Sequence, residues 1–507
     1  MSEQSSNNNK RIAKNTLLLY FRMLFNLLVS LYTSRVILLA LGVEDMGIYN
    51  VVGGIVTMSQ VITSSISNAI SRFLTFELGK GDMDKLKLTF SVSVTVLIIL
   101  SFIIFVIAEF GGLYFVDNVL NISQERLAAA KYVLFFSILT FCVNIISVPY
   151  NASIISHENM NVYAYVGIFE VVMKLGIAYA IMQFSTFDRL ILYAMFLFLL
   201  ALIIRVFYGF YCSRTFAECR YSFIWNKKTL KELTEFASWN FLENLANVFK
   251  SQGVTMLVNI FFGVTINAAQ AIANQVSNAI QQFSNNFITA VTPQIIKMYA
   301  EGKYDEMLNL TNKASRFSFY ITILLAFPIV CNLSLILGLW LHEVPEYTDT
   351  FILLIVVWIL FEVLSQPVLK VIVATGKIKQ YQIGISIIMF SNFPLSWLAL
   401  RCGCNPNAIY IVSALTCLLA LLYRIWTLHK LLPLLSLLSF SRKLLLKPII
   451  IFVISLCVYF LLHAFNESIL LWSILCEIIL FLIISFYGVS KNERLFVLNM
   501  MKSKFSK

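Results

Sequence analysis

The chain has 507 residues, 59% of them hydrophobic and only 13% charged, with a net charge of +12. A soluble protein of this length carries about a quarter of its residues charged and divides into several domains, so a soluble globular fold is excluded. Apolar runs of about twenty residues recur from end to end, long enough to cross a bilayer as helices and too long for the roughly ten-residue alternating strands of a membrane barrel.

In chain order, a polar tail at 1–14 precedes an apolar run too long for a signal-peptide core, with no small-residue cleavage site after it, so the run is expected to stay as an anchor. Spans are predicted near 16–41, 47–72, 88–110, 127–149, 160–183 and 188–212. A basic linker is expected over 214–235, in the stretch that begins "CSRTFAECRYSFIWNKKTLKEL" at Cys212. Further spans follow near 236–261, 266–292, 315–340, 350–374, 380–400, 407–429, 445–463 and 468–488, and a tail runs over 491–507. The prediction is an all-α polytopic membrane protein of about 14 helices.

Charge fixes the expected orientation. Of the 38 Lys and Arg, 29 fall in segments on the side of the N-terminus when span-end residues such as Lys370 and Arg424 are counted with their loops, 4 on the other side and 5 within spans. Positive charge collects on the cytoplasmic side of membrane proteins, so both termini are predicted to be cytoplasmic. Glu44, Asp45, Glu343, Glu346 and Asp349 then mark the outer side.

The spans repeat. "LGVEDMGIYNVVGGIVTMSQVITSSISNAI" aligns with "FGVTINAAQAIANQVSNAIQQFSNNFITAV" at an offset of 221, putting Gly42 on Gly263, Asn26 on Asn247, Gln60 on Gln281 and Gly81 on Gly302. At an offset of 218, Pro149 falls on Pro367 and Tyr163 on Tyr381. An even number of spans per copy makes the repeat parallel, with its axis along the membrane normal. A six-helix lobe over 15–213 and a second over 236–432 are expected, with two extra transmembrane helices at 433–490. Two such halves imply a cleft between them.

Polar residues within the spans are the functional candidates, because such groups are costly in a bilayer and face protein or water. In the second span Gly53, Thr57, Gln60, Ser64, Ser67 and Ser71 share a face, and in the eighth Asn267, Asn274, Asn278, Gln281 and Asn285 do. Small polar stripes serve helix contact equally well. Five carboxamides on one face favour a wet cavity, and amides suit sugar hydroxyls because they both donate and accept. Arg22 and Asn26 share a face of the first span; Asn240, Glu243, Asn247 and Lys250 share one in the seventh. Arg22 aligns with Glu243, which suggests either an ion pair closing an inner gate or two groups snorkelling to the interface. Glu170 and Lys174 form an i,i+4 pair, for mutual neutralisation or for coupling. Glu362, one turn before the Pro367 kink, is either a proton carrier or a satisfied polar group. Arg35 is turned roughly 140° from Arg22 on the helical wheel and lies near the outer end, where it snorkels. Arg205 and Glu477 receive no role.

No phosphate-loop or metal-ligand spacing occurs among the nine cysteines, the four histidines or "GKGDMDK", so no cofactor, metal or nucleic acid is expected. "SRVILLALGVEDMGIYNVVGG", "RFLTFELGKGDMDKL" and "VPYNASIISHENM" resemble the polysaccharide-biosynthesis exporters of the multidrug/oligosaccharidyl-lipid/polysaccharide (MOP) superfamily, which include the O-antigen repeat-unit flippases. That resemblance implies two lobes in alternating access in a bacterial inner membrane. It also implies a polyprenyl-pyrophosphate-linked oligosaccharide as cargo, membrane lipids as surroundings and a polysaccharide polymerase downstream. Arg22 and Lys250 would then hold the pyrophosphate, and Asn26, Gln60, Asn247, Asn274, Asn278, Gln281 and Asn285 the glycan. Two competing readings are a cation-coupled multidrug exporter of the same fold and a membrane-embedded polymerase or ligase. The first two spans contain no acid, and every predicted outer loop is short, which disfavours both.

Overall fold

The computed structural model describes every residue except 1–2, 58–59, 119–121, 184–186, 341–343, 433–435, 465–468, 491–492 and 495–507. Side chains are also left undescribed in short stretches, 53–62 among them. The described chain is helical throughout and contains no strand.

Helix α1 runs Glu3–Thr57, followed by α2 Gln60–Lys80, α3 Met83–Asn118, α4 Gln124–Ser156, α5 Met160–Gln183 and α6 Arg189–Thr215. A short 3-10 turn at Ala217–Cys219 leads to α7, Lys227–Ala300, which continues into α8 Tyr304–Cys331 and α9 Leu333–Trp340. Then come α10 Thr348–Thr375, α11 Lys379–Arg401, α12 Ala408–Leu431, α13 Leu437–Ala464 and α14 Ile469–Ile483, the last closing in a π-turn at Ile484–Gly488. Ten helices among the described residues are long and apolar enough to cross a membrane.

The two longest helices are each broken at one residue. Gly42 interrupts α1 at φ 81° and Gly263 interrupts α7 at φ 79°. These are the two glycines that the 221-residue offset aligns, and a residue without Cβ is what a positive φ between two apolar helices requires. The next aligned pair, Gly81 and Gly302, also has positive φ, 74° and 76°, where α2 and α7 end.

The chain divides into two compact units, Lys14–Phe241 and Leu242–Lys507 with Met1–Ala13. In the first unit α4 packs on α3, α6 and α2; in the second α10 packs on α12 and α8. The aligned prolines 149 and 367 lie inside α4 and α10. Each unit buries its own apolar core, around Leu74, Phe90 and Ile154 in the first and around Phe351, Val368 and Tyr381 in the second.

One ionic clasp sets the far end of the first unit. Arg126, in the first turn of α4, bonds Asp45 just after the Gly42 break and approaches Asp188 at 2.7 Å. Asp188 in turn caps α6 by accepting from the backbone N–H of Leu190 and Ile191. Arg189 donates to the Ala40 carbonyl at 3.3 Å, so both arginines hold the α1 break in place.

Candidate functional site

Inside the first unit, α1, α4, α5 and α6 enclose a cavity of about 670 Å³. One wall is a polar stripe on α4: Ser137, Thr140, Asn144, Ser147 and Asn151 recur at spacings of three and four, which places them on one face. Tyr49, Tyr163, Tyr193 and Tyr208 contribute ring faces and hydroxyls, and Tyr49 and Tyr193 meet edge to face at 5.0 Å.

Three charged side chains line this space, and the sequence singled out all of them: Arg22, Glu170 and Lys174. Lys174 Nζ lies 2.6 Å from Glu170 Oε1, so those two neutralise each other along α5. Arg22 is different. Its guanidinium carbon stands 4.2 Å from the centre of the Tyr163 ring, and no carboxylate among the described residues pairs with it. Gly167 makes this placement possible, because a Cβ there would fall 2.2 Å from Arg22 Nε. The Nε atom is buried without a hydrogen-bond partner, as are the Asn151 and Asn26 side-chain oxygens. Among the described residues, the cavity therefore carries Arg22 as a cation without a carboxylate partner, set among amides, hydroxyls and aromatic faces. Arg35 is exposed and does not line it.

The second unit holds a different arrangement. Arg424 of α12 is only 2% exposed, although the positive-inside count assigned it to a loop. It lies 3.7 Å from Glu243 on α7 and 3.4 Å from Glu362 on α10. Its Nε donates to the Tyr381 hydroxyl at 3.1 Å, and Nη1 donates to Ser365 Oγ in a short bond. Tyr381 donates in turn to Glu243 Oε1 at 3.4 Å, and Gln366 bonds Glu362. Lys250 is 9% exposed, packed 4.9 Å over the Trp358 ring and 3.3 Å from Cys417 Sγ.

The remaining candidates divide as follows. Asn247 is exposed and donates to the Glu243 carbonyl at 3.1 Å. Gln281 donates to Ser277 Oγ at 2.9 Å, Asn274 is half-buried, and Asn278 and Asn285 are exposed on α7. The Gln60, Gly53 and Thr57 side chains lie outside the described residues. Arg22 and Glu243 each engage partners in their own unit, Tyr163 for one and Arg424 with Tyr381 for the other. Arg205 stacks its guanidinium 4.0 Å over Tyr150.

Two helical units with charged and amide groups buried among membrane-length helices define a polytopic membrane protein. Solved structures share this fold. A multidrug resistance MATE family transporter of the MOP superfamily, in an outward-facing conformation, superposes with a TM-score of 0.71 at 12% identity, over 84% of this chain and 97% of that one. A MOP superfamily transporter from Pyrococcus furiosus, described by the reverse polarity of its binding pocket, gives 0.67 at 12% identity over 85% and 96%. The Vibrio cholerae MATE transporter VcmN in its bent form gives 0.66 at 15% identity over 86% and 99%.

The chain belongs to the polysaccharide biosynthesis protein family, whose model matches residues 10–299. It is also similar to the uncharacterized membrane protein EpsK of Bacillus subtilis (strain 168), 21% identical over 311 residues. That match spans 60% of this chain and 60% of the length of the curated relative.

Proposed function

We propose that the protein flips a polyprenyl-pyrophosphate-linked oligosaccharide from the cytoplasmic to the outer leaflet of a bacterial inner membrane by alternating access, for surface polysaccharide or lipopolysaccharide assembly. Fourteen spans, two six-helix lobes and cytoplasmic termini belong to the same reading, and the Lys and Arg distribution supports them. A polymerase that consumes the flipped unit completes it.

The observation that carries the reading is the unpaired Arg22 in the cavity of the first unit. A guanidinium offers several donors in a planar fork that matches phosphate and carboxylate oxygens. Asn144, Asn151 and the tyrosines around it offer donors, acceptors and ring faces for a hydroxyl-rich headgroup. Glu170, the carboxylate that lines this cavity, is tied to Lys174 at 2.6 Å, which counts against cation binding there.

Proteoliposomes loaded with labelled lipid-linked glycan test the proposal. Protein-dependent appearance of label in the opposite leaflet is the expected result. Glycan elongation by the purified protein alone would establish the polymerase reading instead.

A further inference from the structure

The two units treat one position of the repeat in opposite ways. The offset of 221 superposes Arg22 on Glu243, and the offset of 218 superposes Tyr163 on Tyr381. In the first unit Arg22 lies over Tyr163 beside a cavity of about 670 Å³. In the second, Glu243 and Tyr381 meet a guanidinium that the chain itself supplies, and that guanidinium also bonds Glu362 and Ser365. Helices α7, α10, α11 and α12 thus converge on the Arg424 guanidinium, with Lys250 beside Glu362 and Lys370 beside Glu243 as further positive neighbours.

Two carboxylates inside a membrane bundle require counter-charge, since an unpaired buried ion is far costlier than a paired one. A mobile cation or a proton would serve. Arg424 serves here instead, with Nε and Nη1 donating hydrogen bonds, Nη2 3.7 Å from Glu243, and 2% exposure. We infer that the Arg424 guanidinium is a tethered cation: it fills in the second unit the seat that the first leaves open to a ligand, so that Glu243 and Glu362 are unavailable to a mobile cation in the native chain. Arg424 is a positioning residue, acting through the two carboxylates. The inference goes beyond the cargo assignment and does not depend on it.

Truncation to R424A should turn the seat into a binding site for a free guanidinium, with ethylguanidinium as the probe. The expected result is a lowered Tm that ethylguanidinium at millimolar concentration raises in a saturable way, while the native protein gives no such shift. Ethylammonium, which lacks the fork, should raise it less. Flipping lost in R424A should return along the same saturation curve, which a purely structural role would not produce. The triple variant E243Q/E362Q/R424Q should be indifferent to the probe, because it removes both carboxylates of the seat together with the guanidinium they hold. An R424A protein with native Tm, or one that ignores ethylguanidinium, overturns the inference. If R424A cannot be recovered, the triple variant decides: recovery at near-native yield supports a counter-ion role, and its failure assigns the arginine to shape alone. The Tm measurements need no cargo, so they stand even where the flipping assay shows the cargo assignment to be wrong.

Discussion

Gly167→Ala is the most informative small change in the protein. An added Cβ would sit 2.2 Å from Arg22 Nε and 2.8 Å from its Cζ, so the guanidinium has to leave its place over Tyr163. The atom displaced is the far end of a flexible side chain, so the backbone can stay where it is. Inside helix α5, replacing Gly by Ala gains about 1 kcal/mol. Losing a partly desolvated cation–π contact costs roughly 1–2 kcal/mol. The two nearly cancel, and Tm should change little. Cargo binding should not be spared, because a hydrogen bond to a charged group is worth about 1.5–3 kcal/mol. That corresponds to about a ten- to hundredfold weaker apparent affinity. The assay is flipping rate against cargo concentration in proteoliposomes, with Tm of the same preparation alongside. A G167A protein with native Tm and native affinity would refute the reasoning that Arg22, in this position, is the anion-binding group.

Four further outcomes follow from the geometry. Arg22→Ala should weaken cargo binding by a similar factor as G167A, while Arg35→Ala, at an exposed residue outside the cavity, should leave it within twofold; equal losses from both, in the same flipping assay, would contradict the assignment. Arg126→Ala should release the break at Gly42, since Asp45 and Asp188 lose their shared partner, and hydrogen exchange should rise around residues 40–48 and at the start of α6. Charge reversal of Arg22 and Glu243 together tests the gate pairing suggested by the repeat. With Glu243 held by Arg424 at 3.7 Å, the double reversal is expected to flip cargo no better than E243R alone, and clear rescue would restore the gate pair. At the C-terminal end, burial raises the Glu493 pKa, but its bonds to Ser490 and the charges of Arg316 and Lys313 outweigh that and hold it below the ordinary value. A depressed carboxylate contributes stability above its unfolded pKa and loses it as pH falls, so exchange protection at Gly488, Ser490 and Glu493 should drop below about pH 4.

The backbone was legible where geometry demands one residue type. The predicted spans 16–41 and 236–261 end close to Gly42 and Gly263, and the two longest helices are broken there at positive φ, which glycine adopts readily. The span expected at 160–183 coincides with α5, Met160–Gln183. What the apolar pattern hid is that α1 and α7 run past those glycines into the next segment with no loop between.

The site was legible in part. Arg22 stood out as a charge within an apolar span on the face of Asn26, and Glu170 with Lys174 as an i,i+4 pair. Arg424 was missed because it lies near the predicted end of its span at 429, where a basic residue ordinarily snorkels. The overlooked signal was its face: Ser413, Cys417 and Arg424 are spaced by four and seven, a polar stripe on α12. The stripe from Ser137 to Asn151 on α4 was missed for a related reason. Its members are small and dispersed among aromatic and aliphatic neighbours, and only the folded bundle shows that they line a cavity. Which partner neutralises which charge depends on contacts between helices distant in sequence, as for Glu243 and Arg424, and spacing along one helix does not encode that.

The most direct test of the central claim is leaflet exposure of a labelled polyprenyl-pyrophosphate-linked oligosaccharide in proteoliposomes containing the native protein or R22A. The account predicts protein-dependent exposure on the opposite leaflet, reduced about ten- to hundredfold for R22A at low cargo concentration. Exposure that is the same with R22A as with the native protein, or absent with both, would contradict it.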